Sequence, residues 1–292
     1  MAKILLTGAD GQLGHSLRKL ASNYSSFEFV YTDVAELDIT DALACNRFMQ
    51  TEKPDFIINC AAYTAVDRAE EDSGTCFRLN ADAVCNLNEA AKAVQARLIH
   101  ISTDYVFSGR HYLPYGETDI PDPESVYGQS KLKGEDRIRD EDHVLIIRTS
   151  WLYSVYGHNF FKTMHRLTSD KEEVRVIYDQ TGTPTWATDL ARAIMQIVTS
   201  SLDDHDAFVP GIFHFSSEGI ASWYDFAREI GTLSGHEARI VPVETSEFPL
   251  PAPRPFYSVL NKRKIKEIYH IDIPHWKDSL SACIEEFNTI TN

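Results

Sequence analysis

The chain has 292 residues, of which 43% are hydrophobic, and this is enough to bury one large core or two unequal domains. Its formal charge of −15 argues against a nucleic-acid surface, because contacts with phosphates need a basic stripe. The five cysteines form no C-x-x-C pair, which indicates a reducing compartment. No signal peptide or membrane-spanning run is visible. We therefore expect a globular, cytoplasmic protein that binds neither nucleic acid nor membrane.

The chain begins with an apolar run, Ile4–Leu6, that leads into Gly8, Gly11 and Gly14. In a dinucleotide-binding turn, the first glycine allows the tight bend and the second lets the backbone approach a pyrophosphate. The third lets the following helix lie close to the strand. The spacing is one residue wider than the usual dehydrogenase form. An ordinary strand–turn–helix with three glycines is the alternative, but the pattern favours a dinucleotide site.

Strand and helix alternate over the first 150 residues. The predicted strands after the first are Phe27–Thr32, Asp55–Asn59, Arg97–Ser102 and Val144–Arg148, and the predicted helices are Ala42–Glu52, Thr75–Ala96 and Tyr127–Asp140. This alternation predicts an α/β fold with a doubly wound, Rossmann-like parallel sheet. Asp33 ends the second strand, where an acidic side chain commonly meets an adenosine ribose 2′-OH.

The alternation loosens after Ser150. Further strands are predicted at Val174–Ile177, Gly211–Ser216 and Arg239–Val243, further helices at Thr188–Ser200 and Trp223–Leu233, and an extended proline-rich loop at 249–255. We expect residues 1–150 to bind NAD(P) and residues 151–292 to form a smaller, mixed α/β substrate domain. The chain is expected to return once to the first domain, at about 175–200. The ligand cleft should lie between the two parts.

Tyr127 and Lys131 are four residues apart on a predicted helix, so their side chains share one face. A lysine ammonium beside a phenol is expected to lower the tyrosine pKa toward neutrality, which would suit proton transfer. An exposed tyrosine–lysine pair without function is the alternative. Thr103, at the carboxyl end of the fourth strand, favours the catalytic interpretation because its hydroxyl could bind the oxygen that Tyr127 protonates.

In this order, these motifs resemble the extended short-chain dehydrogenase/reductase superfamily. Four longer segments are similar to the dTDP-4-dehydrorhamnose reductase family: Asn59–Thr64, Ser102–Phe107, Arg148–Tyr153 and Asp179–Thr185. The resemblance spans nearly the whole chain.

The resemblance implies NADPH or NADH as cofactor and assigns most of the site. It implies that the cofactor contacts Gly8, Gly11, Gln12, Leu13, Asp33, Asp38, Ile39, Ala61, Ala62, Tyr63, Tyr127 and Lys131. It implies that Thr103, Tyr127 and Lys131 are catalytic, and that Thr103, Asp104, Tyr105 and Trp151 meet the sugar. Arg254, in the proline-rich loop, is our candidate for the substrate diphosphate. The alternatives are that Asp38 caps the next helix, Asp104 is a turn residue, Trp151 is a core aromatic and Arg254 is simply exposed.

The activity implied is NAD(P)H-dependent reduction of the C4 ketone of dTDP-4-dehydro-L-rhamnose, with Tyr127 as proton donor. Tyr105 supports reduction, because related dehydratases carry a glutamate there as a second acid. The alternatives are a reductase or epimerase for another nucleotide sugar, and a non-catalytic subunit like the regulatory beta subunit of methionine adenosyltransferase. His15-Ser16 stands where some members carry an acidic residue of a metal-linked dimer. We therefore predict no metal, and leave monomer or homodimer open.

The local charge near Asp33 and the family resemblance predict different cofactors. Val34-Ala35-Glu36 follows Asp33, so no cation stands nearby in the sequence to meet a 2′-phosphate. This favours NADH, whereas the resemblance implies that NADPH is also accepted. We expect both cofactors to work.

Overall fold

A computed structural model describes residues 1–203 and 207–291, and its centre is a parallel β-sheet. The strands in chain order are β1 (Ala2–Thr7), β2 (Phe27–Thr32), β3 (Phe56–Asn59), β4 (Arg97–Thr103), β5 (Val144–Thr149), β6 (Leu152–Tyr153), β7 (Glu173–Ile177), β8 (Thr181–Gly182), β9 (Thr185–Trp186), β10 (Gly211–His214), β11 (Ala221–Ser222) and β12 (Arg239–Val243). The main sheet has the order β10-β5-β4-β3-β1-β2, and each of these pairs is parallel. The predicted doubly wound fold is confirmed.

Helices cover both faces of this sheet. They are α1 (Gln12–Leu20), α2 (Ala42–Glu52), α3 (Val66–Ala69), α4 (Ser73–Phe77), α5 (Ala83–Ala93), α6 (Val126–Ile138), α7 (Phe160–Asp170), α8 (Ala187–Asp203), α9 (Trp223–Leu233), α10 (Arg263–Tyr269) and α11 (Trp276–Thr291). Side chains alternate across the sheet, as a strand requires. Ile4 and Leu6 join the core under α1 and α8, whereas Leu5 joins the core under α2 and α5.

The helix expected over Thr75–Ala96 is interrupted. A π-helical turn, Arg78–Asp82, separates α4 from α5. Inside it, the Asn80 side chain accepts a hydrogen bond from the Tyr63 amide (2.8 Å) and donates to the Ser130 hydroxyl (2.9 Å). An added Cβ on Gly134 would lie 2.2 Å from the Asn80 carbonyl oxygen, so α6 approaches the turn closely. Hydrophobic periodicity gives no sign of such a turn.

The second half of the chain forms its own core and also returns to the main sheet. The separate core lies between α7, α9, α11 and β7, around Phe161, Phe226 and Trp276. The return consists of α8, which packs on α1, and β10, which pairs with β5. The return therefore begins with α8, inside the expected range of about 175–200, and continues to β10, whereas β7 pairs with β12 outside the main sheet. Within 1–203 and 207–291, no helix has the length and apolar character to cross a membrane.

Candidate active site

Three adjoining cavities form a cleft beyond the carboxyl ends of the main strands. The turn cavity, of about 500 Å³, lies at the glycine turn, and the central cavity, of about 430 Å³, contains Tyr127 and Lys131. The outer cavity, of about 330 Å³, lies mostly in the second half of the chain. Gln12 and His158 line both the turn and central cavities, while Tyr105 and Trp223 line both the central and outer cavities. A long ligand pair could therefore lie end to end along the cleft.

The glycine turn shapes the first cavity. Gly8 has a φ of +65°, and a Cβ added there would lie 2.6 Å from the Ala61 nitrogen. Gly11 is the N-cap of α1 and provides no side-chain cap, so first-turn N–H groups remain for an anion. A Cβ on Gly14 would lie 2.4 Å from the Gly8 oxygen, which keeps α1 close to the strand end. The turn fits a dinucleotide pyrophosphate.

The structure brings most of the predicted cofactor residues into two cavities. The turn cavity is lined by Gly8, Gly11, Gln12, Asp33, Asp38, Ile39, Ala61 and Ala62, and the central cavity by Leu13, Tyr127 and Lys131. Tyr63 is the exception, because it lines neither cavity. Its hydroxyl lies 3.5 Å from an Asp72 oxygen instead. The peptide hydrogen bonds to Asn80 fix this placement, and the contact of Tyr63 with the cofactor stays a prediction.

Two carboxylates stand at the far end of the turn cavity. Asp33 accepts hydrogen bonds from the Asp10 and Val34 amides, at 3.1 and 2.8 Å. Hydrogen bonds from Thr40 lower the pKa of Asp38, and the positive charge of Arg78 contributes in the same direction. The fold thus supplies a cation near this end that the local sequence does not show.

The cap of α2 is Asp41. It accepts hydrogen bonds from the Leu43 and Ala44 amides, at 2.8 and 3.0 Å. The alternative that Asp38 caps this helix is therefore wrong.

Tyr127 and Lys131 lie on α6 and face the central cavity together with Thr103. Burial raises the pKa of Tyr127, and hydrogen bonding to Thr103 only partly offsets the rise. The expected lowering of the Tyr127 pKa by Lys131 is not observed. The Lys131 ammonium instead donates to the Ile101 carbonyl oxygen at 2.6 Å. Tyr127 is therefore a protonated phenol at neutral pH, as a proton donor requires.

Thr103 is the last residue of β4, and Asp104 directly follows the strand. The Thr103 hydroxyl donates to Asp104 Oδ1 at 3.0 Å and accepts from the Tyr105 amide at 3.2 Å. Burial raises the pKa of Asp104 to about 6, although its hydrogen bonds favour the carboxylate. Asp104 Oδ2 is buried without a hydrogen-bond partner in the part of the chain described. Asp104 lines the central cavity, and the nearby Ser258 hydroxyl favours its carboxylate form.

A buried ion pair supports the end of β4 from behind. Arg148 on β5 donates two bonds to Glu135 on α6, from Nε at 3.0 Å and from Nη2 at 2.6 Å. The Ser102 hydroxyl also donates to Glu135. Both charged side chains are almost fully buried, so they stabilise only as a pair. The pair ties α6, β4 and β5 together beside the central cavity.

Trp151 is held in a strained position at the central cavity. Its φ is +48°, which is unfavourable for a side chain of this size. The indole stacks on Trp223 with ring centroids 3.5 Å apart and 5° between planes. A Cβ on Gly182 would lie 2.6 Å from the Trp151 ring. Trp151 is partly exposed in the cavity, so the core-aromatic alternative is wrong.

Arg254 lines the outer cavity and forms a bidentate ion pair with Asp67. The two N–O distances are 2.6 and 2.7 Å, and the Arg254 guanidinium holds the pKa of Asp67 below its usual range. The arginine side chain is 17% exposed, so it is neither free nor simply solvated. Tyr105 joins this cavity to the central one, with its ring edge-on to Tyr127 at 5.5 Å.

Sequence reasoning missed several cavity residues. They are Thr64, His158, Asn159, Phe160, Arg175, Gln180 and Trp223. Asn159 was detectable locally, because it precedes a helical pattern and its side chain caps α7 by accepting from the Lys162 amide at 3.0 Å. Trp223 carried no local sign, since its stacking on Trp151 joins positions 72 residues apart. Among the described residues, no group of three His, Cys, Asp or Glu side chains is arranged to hold a metal ion.

Comparison with known proteins gives a consistent family assignment. The family model described as "RmlD substrate binding domain" matches residues 2–289. A dTDP-4-dehydrorhamnose reductase from Burkholderia thailandensis is 38% identical over 295 residues, covering 97% of this chain and 98% of that protein.

Two crystal structures agree with this. A dTDP-4-dehydrorhamnose reductase from Clostridium acetobutylicum has a TM-score of 0.92 and 43% identity, over 98% of this chain and 99% of that one. One from Bacillus anthracis, in complex with NADP, has a TM-score of 0.92 and 36% identity, over 98% and 100% of the two chains. The cleft, its glycine turn and these full-length matches together show that this chain belongs to the dTDP-4-dehydrorhamnose reductase family.

Proposed function

We propose that this chain reduces the C4 ketone of dTDP-4-dehydro-L-rhamnose to give dTDP-L-rhamnose, using NADPH or NADH. The observation that carries the proposal is the position of Thr103, Tyr127 and Lys131 in the central cavity. On one side lies a glycine-turn cavity that suits a dinucleotide, and on the other an outer cavity that contains Arg175 and Arg254. The full-length match to enzymes of this name supports the same substrate.

The turn cavity and central cavity fit a nicotinamide dinucleotide. The Gly8 turn leaves room where a Cβ would strike Ala61, and α1 begins there without a side-chain cap. When bound, the reduced cofactor supplies the hydride. The NADP complex of the Bacillus anthracis relative supports this choice.

The chain's own residues then have separate tasks. Tyr127 donates its phenolic proton to the oxyanion that develops at C4, and the Thr103 hydroxyl turns from Asp104 Oδ1 to donate a hydrogen bond to the same oxygen. Lys131, in the same cavity, would hold the nicotinamide ribose of the cofactor. Asp104 Oδ2 accepts from a sugar hydroxyl, and Trp151 supplies a flat wall for the ring. Arg254, already paired with Asp67, provides the charge for the diphosphate.

The proposal keeps the expected domains, in which residues 1–150 bind the cofactor and residues 151–292 bind the substrate. The cytoplasm remains the proposed compartment, since five free cysteines are compatible with a reducing environment. Monomer or homodimer remains open as a prediction.

One assay tests the proposal against its alternatives. The protein is mixed with dTDP-4-dehydro-L-rhamnose and NADPH or NADH, nicotinamide absorbance is followed, and the product is identified by NMR. A reductase consumes one cofactor for each sugar reduced. An epimerase would invert a centre without net consumption, and a non-catalytic subunit would do neither. Parallel reactions with other 4-keto nucleotide sugars test the sugar, because the proposed substrate should have the highest kcat/KM.

A further inference from the structure

A chain of buried polar side chains runs behind Lys131, away from the central cavity. The Thr7 hydroxyl donates to Asn59 Oδ1 at 2.8 Å, and Asn59 Nδ2 lies 3.0 Å from His100 Nδ1. His100 Nε2 then lies 3.4 Å from Lys131 Nζ. Each of these four residues is at most 2% exposed. Neither the fold nor the proposed reaction explains why a histidine should lie there.

The backbone fixes the direction of every bond in this chain. The Ala61 amide donates to Asn59 Oδ1 at 3.2 Å, and an N–H group can only donate. The Asn59 oxygen must therefore face Ala61 and Thr7, which turns its NH₂ group toward His100 Nδ1. His100 Nδ1 is consequently an acceptor and carries no proton. Burial, together with the charge of Lys131, holds the pKa of His100 well below its usual range. The single ring proton of the neutral imidazole lies on Nε2.

This tautomer places an N–H donor against the amino group of Lys131. An ammonium has only donors, whereas a neutral amine has a lone pair that can accept from His100. We propose that His100 is a positioning residue whose Nε2–H, oriented by Asn59, favours release of a proton from the Lys131 ammonium. The Lys131–Ile101 hydrogen bond keeps the amino group in place for this contact.

Other groups around Lys131 affect its pKa, some raising it and some lowering it. Burial is the largest effect and lowers the pKa of Lys131 to about 8. Glu135 on α6, Cys76 on α4 and Cys60 after β3 each favour the ammonium. The thiols remain protonated, because burial raises their own pKa values. Glu135 is largely engaged by Arg148, which leaves two directed contacts at Nζ, one with the Ile101 carbonyl oxygen and one with His100 Nε2.

The role rests on the proposed function. Once Tyr127 has given its proton to the substrate oxygen, the phenolate must recover one before the next turnover. A Lys131 ammonium that releases its proton readily can supply it. The Nζ–H bond then breaks, a phenolic O–H bond forms, and the amine takes a new proton from solvent. Burial raises the pKa of Tyr127 and lowers that of Lys131, so transfer of the proton from Nζ to the phenolate is favourable.

The first test uses the ligand-free wild-type protein and does not depend on turnover. Long-range ¹H–¹⁵N spectra identify which ring nitrogen of His100 is protonated, with a His100→Gln spectrum to assign it. We expect the proton on Nε2 across pH 6–9. A proton on Nδ1, or a charged ring in this range, overturns the proposal.

The second test titrates Lys131 by ¹³C NMR of labelled lysine, with Lys131→Met as the assignment variant. In His100→Gln, the amide can present its oxygen to Nζ, so the Lys131 pKa should rise by about one unit. In His100→Phe, which keeps a flat ring without the N–H, the Lys131 pKa should rise by less than in His100→Gln. His165→Gln, on α7, is the matched control and should leave the Lys131 pKa unchanged. An unaltered Lys131 titration in a folded His100 variant overturns the proposal.

Turnover gives a third, separable measurement. In His100→Gln, the alkaline limb of the kcat profile should move upward with the Lys131 pKa, while substrate KM stays within about twofold. A change in KM alone would show a structural role and overturn the proposal. If the protein reduces no 4-keto sugar but shows the expected NMR titrations, the proposed function fails while the interaction of His100 with Lys131 stands.

Discussion

Single side chains at the central cavity have acid–base properties that their sequence neighbours do not reveal. The Tyr-x-x-x-Lys spacing places Tyr127 and Lys131 on one face of α6, yet burial moves both groups toward their neutral forms. Thr103 contacts Tyr127, Asp104 and the Tyr105 amide, so it links the proposed proton donor to the residues proposed to bind the substrate. The spacing therefore predicts which residues meet, while the fold determines which of them carry protons.

Tyr127→Phe should lower kcat by about 10²- to 10⁴-fold and leave the cofactor Kd nearly unchanged, because only the proton donor is lost. Steady-state kinetics and a cofactor titration measure the two effects. Tyr63→Phe makes the same chemical change outside the cavities and should retain activity. A Tyr127→Phe enzyme with more than half of the wild-type kcat would exclude Tyr127 as the acid.

Asp33→Ala should shift the ratio of kcat/KM values toward NADPH by about tenfold, or roughly 1.4 kcal/mol. Asp33 faces the turn cavity, where its carboxylate suits a ribose 2′-OH and repels a 2′-phosphate. The charge of Arg78 near Asp38 suggests how NADPH is accommodated despite Asp33.

Kinetics with both cofactors give this ratio. Glu28→Ala removes an acid from the same strand, where it pairs with Lys3, and should leave the ratio unaltered. If Asp33→Ala behaves like Glu28→Ala, Asp33 does not contact the ribose.

At the scale of elements, short strands position the aromatic wall of the site. β6 pairs with β9, and β8 pairs with β11, so that Trp151, Gly182 and Trp223 meet. Gly182→Ala would place a Cβ 2.6 Å from the Trp151 ring and displace the indole. Substrate KM should rise about tenfold, with cofactor Kd unchanged, since the obstruction costs on the order of 1–3 kcal/mol.

Gly74→Ala on α4 is the matched control, because an added Cβ there meets nothing within 4 Å. Equal KM values for the two variants would show that Trp151 does not depend on the space at Gly182.

Periodicity and turn chemistry predict the first half of the chain well, since β2 and α2 occur with the predicted bounds. Buried parallel strands appear in the sequence as short apolar runs, and a capped helix appears as apolar residues at helical spacing after a capping side chain. The second half is less predictable. α7, α10 and α11 were not foreseen, and β7 joins β12 and not the main sheet. Strand pairing and the Trp151–Trp223 stacking depend on contacts between distant residues, which no local window contains.

At the scale of the whole molecule, Asp104 should make folding stability depend on pH. Its folded pKa of about 6 exceeds the unfolded value of about 3.9, so the folded state binds more protons between these values. The contribution of Asp104 to the free energy of unfolding is therefore largest below about pH 4. It falls by up to about 3 kcal/mol as the pH rises to 6.

Urea unfolding of wild type and Asp104→Asn at several pH values measures this contribution. The difference in unfolding free energy should change in favour of the variant from pH 4 to pH 6. Asp140→Asn removes a carboxylate that is 92% exposed and should follow wild type. Parallel curves for Asp104→Asn and wild type would mean that Asp104 titrates equally in both states.

The return of α8 and β10 to the main sheet has a consequence for dissecting the protein into fragments. An expressed fragment that stops at residue 150 would lack the strand beside β5 and the helix that covers Leu17 on α1. Its newly exposed β5 edge, flanked by Leu145 and Ile147, would favour self-association. Fragment 151–292 added in trans should complement it by supplying both elements. We therefore expect residues 1–150 and 151–292 to behave as two interlocked segments of one folding unit and not as independent modules.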